Sequence, residues 1–133
     1  MVRLSKKVEY GIIGLRHIAV HPYEVVTAKE ISEAYNIPYE LLAKVLQKLT
    51  RAGLIVSHHG VHGGYTLSKD PNDVAVSAII NAIEGRTPVI AQCMSEGPDS
   101  CGVFDFCTIR SPLYKVQANI ENVFRSMTLS QIV

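Results

Sequence analysis

The chain has 133 residues, of which 47% are hydrophobic and 19% are charged. This size and composition predict a single domain with a buried core, and they exclude an intrinsically disordered chain. Three cysteines are too few for a disulfide scaffold. The sequence has no apolar run near the ~20 residues that cross a bilayer, and its first ten residues lack the apolar core of a signal peptide. We therefore expect a cytoplasmic protein without membrane contact.

The net charge of +1 at pH 7 hides an asymmetry along the chain. Residues 1–69 carry nine Lys and Arg against five acidic residues, a net charge of +4. Residues 70–133 carry four Lys and Arg against seven acidic residues, a net charge of −3. All five histidines also lie in the first part. Such an asymmetry favours contact of the first part with a polyanion.

Helical periodicity predicts three helices in the first 53 residues. The first begins after Ser5, a suitable N-cap, and ends at His21-Pro22, because proline cannot continue a helix. The second begins with the capping-box pair Thr27 and Glu30. The third begins at Pro38, which suits a first helical turn, and carries a wide apolar stripe.

Two short apolar, β-branched segments follow, over residues 54–56 and 65–67. The glycines and histidines of residues 58–64 separate them and predict a hairpin tip. Three helices followed by a two-stranded hairpin is the order of a winged helix-turn-helix, in which the hairpin is called the wing. We therefore predict a mainly α fold with a small β-hairpin.

Beyond the wing, the pattern predicts a fourth helix from Val74 to Ile83 and a long last helix from about Ser111 to Met127. A trailing amphipathic helix is often a dimerisation element; the alternative is that it packs on its own domain. The expected organisation has three parts. These are a winged-helix DNA-binding domain over residues 1–85, a cysteine-containing loop over 86–110, and a dimerisation helix with the C-terminal tail over 111–133.

A recognition helix needs short polar and basic side chains near its N-terminal end, where they reach base edges and phosphates. The third helix meets this requirement, and the glycine-rich wing beside it strengthens the DNA interpretation over a solvated helix face. The three wing histidines also suggest zinc, but a flexible tip is a poor place to fix tetrahedral geometry. The candidate DNA contacts are Arg3, Ser5, Lys6, Lys7, Thr27, Pro38, Tyr39, Glu40, Lys44, Gln47, Lys48, Arg51, His58, His59, His62, Gly63 and Tyr65.

Cys93, Cys101 and Cys107 lie at C-x7-C-x5-C spacing in one segment rich in glycine and proline. The paired CxxC knuckles of zinc ribbons are absent from the sequence, and the histidines that could activate a catalytic thiol lie in another region. Three thiolates from such a segment suit an iron–sulfur cluster held by three cysteines and one further ligand. The alternative is three ordinary small hydrophobic residues.

The sequence resembles the family of small dimeric winged-helix transcription regulators that includes IscR, NsrR and RirA. The resemblance covers nearly the whole chain and rests on RLSKKVEYGIIGLRHIA, VLQKLTRAGLI, GVHGGYTLSKDP, INAIEG and the three-cysteine loop before the final helix. It implies a homodimer on a palindromic double-stranded DNA operator, with a [2Fe–2S] or [4Fe–4S] cluster whose state sets the DNA affinity. The cysteine spacing is similar to that of the iron-responsive RirA branch.

The resemblance also bears on the fourth cluster ligand. IscR-like members use a histidine three residues after the last cysteine, where this chain has Arg110, which cannot coordinate. NsrR-like members use an acidic residue of the first helix, supplied across the dimer, and Glu9 matches that position. The resemblance therefore implies Glu9 as the fourth ligand. The alternative is that Glu9 is an ordinary surface carboxylate and that solvent or a small thiol occupies the fourth position of the cluster. The wing departs from the family pattern as well, with His59, Val61 and His62 where Arg and Gly-Pro are common.

The combined expectation is a transcription regulator, with repression as the expected direction, whose cluster senses iron or cluster status, oxygen or nitric oxide. The alternative is a thiol- or zinc-switched winged-helix regulator, or a protein-interaction module, without an iron–sulfur cluster. No nucleophile elbow or phosphate loop stands in the sequence. We therefore expect neither an enzyme nor a small-molecule substrate.

Overall fold

The computed structural model describes residues 3–133, so Met1 and Val2 of the predicted DNA-binding domain lie outside the description. The described residues form six α-helices and one antiparallel hairpin. In chain order these are α1 Lys6–Ala19, α2 Ala28–Tyr35, α3 Tyr39–Arg51, β1 Ile55–His58, β2 Gly64–Leu67, α4 Val76–Glu84, α5 Gln92–Glu96 and α6 Arg110–Ser126. This mainly helical architecture with a two-stranded hairpin confirms the predicted fold class.

Local capping fixes the starts of the first helices. Ser5 caps α1 and Thr27 caps α2, each by accepting a backbone N–H of the first turn. Only half of the predicted capping box forms, because the carboxylate of Glu30 lies 2.7 Å from Nε2 of His17 instead of returning to the helix start. Pro38 is the N-cap of α3 and not, as predicted, part of its first turn.

The core lies among α1 to α4 and the base of the hairpin. Its largest fully buried side chains include Leu15, Ile18, Ile31, Leu42, Leu46, Leu49, Ile55, Ile79 and Ile80. Helix α1 packs on both α3 and α4. It passes so close to them at Gly11 that a methyl group there would overlap Ile83. This close packing fixes α3 against the rest of the domain and leaves its other face free.

The hairpin is pinned to the loop before α2. Its register pairs Ile55 with Leu67 and His58 with Gly64. Tyr65 also forms a β-bridge with Val26, using both its N–H and its carbonyl. Strand β2 of the wing is therefore held by backbone hydrogen bonds on both sides.

The segment before α6 is more ordered than the predicted irregular loop. It contains the short helix α5 and two 3-10 turns, Pro98–Ser100 and Phe104–Phe106. Helix α6 begins at Arg110, one residue before the predicted Ser111, and the residue before it, Ile109, provides no side-chain cap. One face of α6 packs on α4, and Leu129 beyond it is fully buried. Across residues 3–133, no helix has the length and apolar character needed to cross a membrane.

Candidate nucleic-acid interface and cysteine segment

Helix α3 has one buried face and one open face. Leu42, Val45, Leu46 and Leu49 are at most 1% exposed. The candidate DNA contacts of this helix lie on its exposed faces; these are Tyr39, Glu40, Lys44, Gln47, Lys48 and Arg51, preceded by exposed Pro38. A recognition helix needs this arrangement, because one face must hold the helix to its domain while another enters the major groove.

Tyr65 in strand β2 of the wing lies beside the start of α3. Burial, and secondly the charge of nearby Tyr39, raises the pKa of the Tyr65 phenol above its ordinary value. Tyr65 in turn bridges Val26, which immediately precedes the N-cap Thr27 of α2. Strand β2 of the wing therefore lies close to the starts of both α2 and α3.

The tip of the wing is open. Nε2 of His58 lies 2.9 Å from the Thr66 hydroxyl across the hairpin, whereas His59 and His62 are exposed. Gly63 keeps the turn tight, since a Cβ there would lie 2.6 Å from the His58 carbonyl oxygen. The exposed histidines of the tip belong to the residues that the sequence predicted to contact DNA.

Besides Thr27 and His58, three more of the predicted DNA contacts have partners for their side chains within the protein. The Ser5 hydroxyl donates to the carboxylate of Glu84, besides capping α1. Lys6 forms an ion pair with Glu9 at 3.0 Å, and this hydrogen bond raises the pKa of Lys6. Lys48 donates from Nζ to the Ile83 carbonyl at 3.0 Å. The last contact favours a structural role for Lys48 over the predicted contact with DNA.

Arg3 and Lys7 lie at the start of α1, and both are exposed. They add to the exposed positive charge of Lys44 and Arg51 on α3. Basic side chains at such positions neutralise phosphates and add affinity without reading sequence.

The three cysteines are free thiols, and each is partly exposed. Cys93 lies in α5, while Cys101 and Cys107 directly follow the two 3-10 turns. Arg110, at the start of α6, stacks over the Phe104 ring with its guanidinium carbon 4.2 Å from the ring centre. The guanidinium is held by an aromatic ring, and it cannot serve as a metal ligand because it has no acceptor atom.

Across the part of the chain that is described, no three His, Cys, Asp or Glu side chains are gathered so as to hold a metal ion. The donor chemistry nevertheless fits an iron–sulfur cluster, because three accessible thiols lie within one short segment. Glu9, the predicted fourth ligand, lies on α1 and is paired with Lys6. Cluster binding therefore requires the turns of residues 92–107 to close, and Glu9 to leave Lys6 if it takes part.

One polar residue that sequence reasoning missed links this segment to α6. Gln117 is 6% exposed and is the buried residue of α6. Its amide is hydrogen-bonded to the backbone of Pro88 and Ile90. A glutamine on the apolar side of an amphipathic helix was the sequence feature that could have revealed it.

Comparison with known proteins decides the family. The model of the Rrf2 family, described as an iron-dependent transcriptional regulator, matches residues 4–133. The chain belongs to the Rrf2 family. Among its relatives, the transcriptional regulator IscR of Serratia proteamaculans is 29% identical over 133 residues, covering 99% of this chain and 79% of the relative. NsrR of Oceanobacillus iheyensis is 29% identical over 110 residues, covering 83% of this chain and 74% of the relative.

Solved structures agree with this assignment. IscR of T. potens has a TM-score of 0.76 and 31% identity, covering 98% of this chain and 85% of that one. CymR, the global cysteine regulator of B. subtilis, has a TM-score of 0.78 and 23% identity, covering 99% and 96%. At that identity CymR shows the fold alone.

Membership of the Rrf2 family makes the chain a DNA-binding transcriptional regulator and confirms the predicted resemblance. It also confirms that the chain is not an enzyme, because the family and its named relatives are regulators. Since the same fold serves a protein named as a cysteine regulator, the fold does not by itself assign a cofactor.

Proposed function

We propose that this Rrf2-family protein is a homodimeric, cytoplasmic repressor of a palindromic operator, and that a [2Fe–2S] or [4Fe–4S] cluster on Cys93, Cys101 and Cys107 sets its affinity for DNA. The observation that carries the proposal is the group of three free, partly exposed thiols between the winged-helix domain and α6. Residues 1–85 bind DNA, residues 86–110 hold the cluster, and residues 111–133 join the protomers.

Homodimer formation is proposed from the exposed stripe of α6. Val116 and Val123 in α6, and Ile109 directly before it, recur every seven residues and are 47%, 52% and 57% exposed, and exposed Met127 directly follows the helix. The neighbouring face of α6 already packs on α4, so this stripe faces away from the protomer's own core. An apolar stripe with heptad spacing suits a second copy of the same helix. A two-fold dimer then presents two recognition helices to two half-sites of the operator.

The cysteine segment supplies the sensing part of the proposal. When bound, the cluster supplies chemistry that responds to iron supply, oxygen or nitric oxide. The chain's own contribution is to bring Cys93 in α5 together with the two turn cysteines. Glu9 of a second copy is the proposed fourth ligand, and the Glu9–Lys6 ion pair must open for it. A tenfold change in operator affinity needs only about 1.4 kcal/mol between the two states.

The test starts from protein purified without oxygen. We expect visible iron–sulfur absorption, stoichiometric iron and sulfide, and an operator footprint that changes when the cluster is removed. Cys107→Ala should lose the cluster, and Thr108→Ala, its exposed neighbour, should retain it. Protein without iron and sulfide, or a Cys107→Ala variant with a full cluster, would contradict the cluster proposal and leave the DNA-binding assignment intact.

A thiol switch is the second candidate, and one observation favours it. The three thiols are free but are not gathered as a metal site within residues 3–133. A peroxide could join two of them as a disulfide, with the peroxide reduced to water. This alternative predicts an iron-free protein whose footprint changes with peroxide and recovers with dithiothreitol.

A further inference from the structure

Residues 85–91, here called the connector, join α4 to α5 and thus link the winged-helix domain to the cysteine segment. The connector begins where α4 ends at the left-handed residue Gly85. It contains no helix or strand, but hydrogen bonds tie it and the adjoining end of α4 to three other helices. Those contacts determine what must move if the cysteine segment closes.

The tie to α6 is made by Gln117. Its Oε1 accepts the Ile90 N–H at 3.1 Å, and its Nε2 donates to the Pro88 carbonyl at 2.9 Å. Nε2 also lies 3.2 Å from a carboxylate oxygen of Glu121, one turn along α6. The buried amide is therefore satisfied on both sides, and its two backbone contacts are two residues apart in the connector. A hydrocarbon side chain of the same length could make neither bond.

The tie to the recognition helix is made by Lys48 of α3. Its ammonium donates to the Ile83 carbonyl, in the last turn of α4. Carbonyls of a last turn lack intrahelical partners, and a cation there is favoured by the helix dipole. Ser5, the N-cap of α1, makes a second contact there by donating its hydroxyl to the Glu84 carboxylate. The end of α4 therefore cannot shift without disturbing α3 and α1.

We propose that Gln117 and Lys48 are positioning residues that couple the cysteine segment to α6 and α3, respectively. This inference rests on the proposed function, because capture of the cluster is the event that is transmitted. Closure of residues 92–107 pulls on a seven-residue connector whose two ends are held. The displacement is passed to α6 through Gln117 and to α3 through Lys48, which changes the spacing and orientation of the recognition helices in the dimer.

The experiment compares operator affinity of the cluster-loaded and cluster-free dimer and takes their ratio. Gln117→Leu removes both hydrogen bonds to the connector. Gln117→Glu keeps the acceptor for the Ile90 N–H but loses the donor to the Pro88 carbonyl. Lys48→Met keeps the apolar part of the side chain and removes the charge. Asn122→Leu and Lys115→Met place the matched changes at exposed positions of α6. We expect the ratio to fall severalfold toward one in Gln117→Leu and Lys48→Met, to be intermediate in Gln117→Glu, and to be unchanged in the two controls.

A second readout needs no cluster. Hydrogen exchange of the cluster-free protein should show faster exchange at the Ile90 amide in Gln117→Leu than in wild type, with Asn122→Leu unchanged. A merely structural role would lower both affinities equally and keep their ratio, which would overturn the inference while the proposed function stands. Wild-type protein with no cluster, or with equal affinities in the two states, would instead overturn the proposed function and the inference with it.

Discussion

At the scale of one residue, Gly64 allows strand β2 of the wing to pack closely against the loop before α2. Its φ of +151° is rarely adopted by residues with a side chain, and a Cβ would lie 2.6 Å from the Val26 carbonyl oxygen. Gly64→Ala should therefore lower the free energy of unfolding by about 1–3 kcal/mol, measured by urea denaturation. The matched control is Gly102→Ala, where a Cβ meets nothing within 4 Å. Equal stability of the two variants would show that β2 can move away from Val26 at no cost, which would contradict this role of Gly64.

A second prediction at this scale concerns the buried His17. Its Nε2 faces the Glu30 carboxylate at 2.7 Å, and its Nδ1 lies 2.8 Å from the Tyr35 hydroxyl. The carboxylate can only accept, so Nε2 donates to Glu30, and the Tyr35 hydroxyl is the partner of Nδ1. Tyr35→Phe should cost about 1 kcal/mol of stability by leaving the buried Nδ1 without a hydrogen-bond partner. Tyr23→Phe, at a 98% exposed position, should cost nothing measurable. Indistinguishable denaturation midpoints for the two variants would contradict this role of Tyr35.

These residues also show which interactions the sequence can and cannot predict. The caps Ser5 and Thr27 were predictable because each bonds to backbone within three residues along the chain. The Glu30–His17 contact was not, since it joins two helices whose packing is set by the core. The contact of Lys48 was unpredictable for the same reason, because its partner Ile83 is 35 residues away, and the sequence pattern therefore favoured DNA.

At the scale of the element, α6 has one face that packs on α4 and a second, exposed apolar stripe. The periodicity identified one apolar side, with Val116, Ile120, Val123, Phe124 and Met127, but could not divide it. In the structure Phe124 packs against the core, whereas Val116 and Val123 remain about half exposed. Spacing alone cannot distinguish a face that meets α4 from one that meets a second copy. The five-residue α5 was missed because so short an element leaves no periodicity to detect.

The exposed stripe of α6 carries the prediction that belongs to this scale. Val116→Glu places a charge where each protomer of the proposed dimer buries a valine. Because the dimer has two-fold symmetry, the interface then contains two such charges. Burial of one valine is worth about 1.5 kcal/mol or more, so the dimer dissociation constant should rise on the order of 100-fold. Sedimentation equilibrium measures it. Asn122→Glu, also exposed on α6, is the control and should stay dimeric; a Val116→Glu protein as dimeric as this control would exclude the stripe as the interface.

At the scale of the whole molecule, the charge asymmetry of the sequence divides the elements into two groups. The basic first 69 residues build α1, α3 and the wing, and the acidic remainder builds α4, the cysteine segment and α6. The order of helices and wing was predictable because it follows local patterns of period 3.6 and 2. The relative placement of the three cysteines does not follow from such local patterns, because it depends on how the short turns between them pack; within residues 3–133 they are not gathered into a metal site.

The division in charge predicts how operator affinity depends on salt. Removal of one phosphate-binding cation lowers the steepness of log K against log salt by about 0.9, and every substitution acts twice in a dimer, for a change of about 1.8. Lys7→Ala, at the exposed start of α1, should show this change with weaker binding to all sequences. Lys115→Ala, in the acidic part on α6, should leave the slope unchanged. Lys48→Ala distinguishes a structural role of the Lys48 ammonium from a contact with DNA. An unchanged slope of log K against log salt agrees with the hydrogen bond to the Ile83 carbonyl. A fall in slope as large as that of Lys7→Ala would show that the ammonium leaves α4 to bind phosphate. Fluorescence anisotropy titrations over a series of salt concentrations provide the measurement.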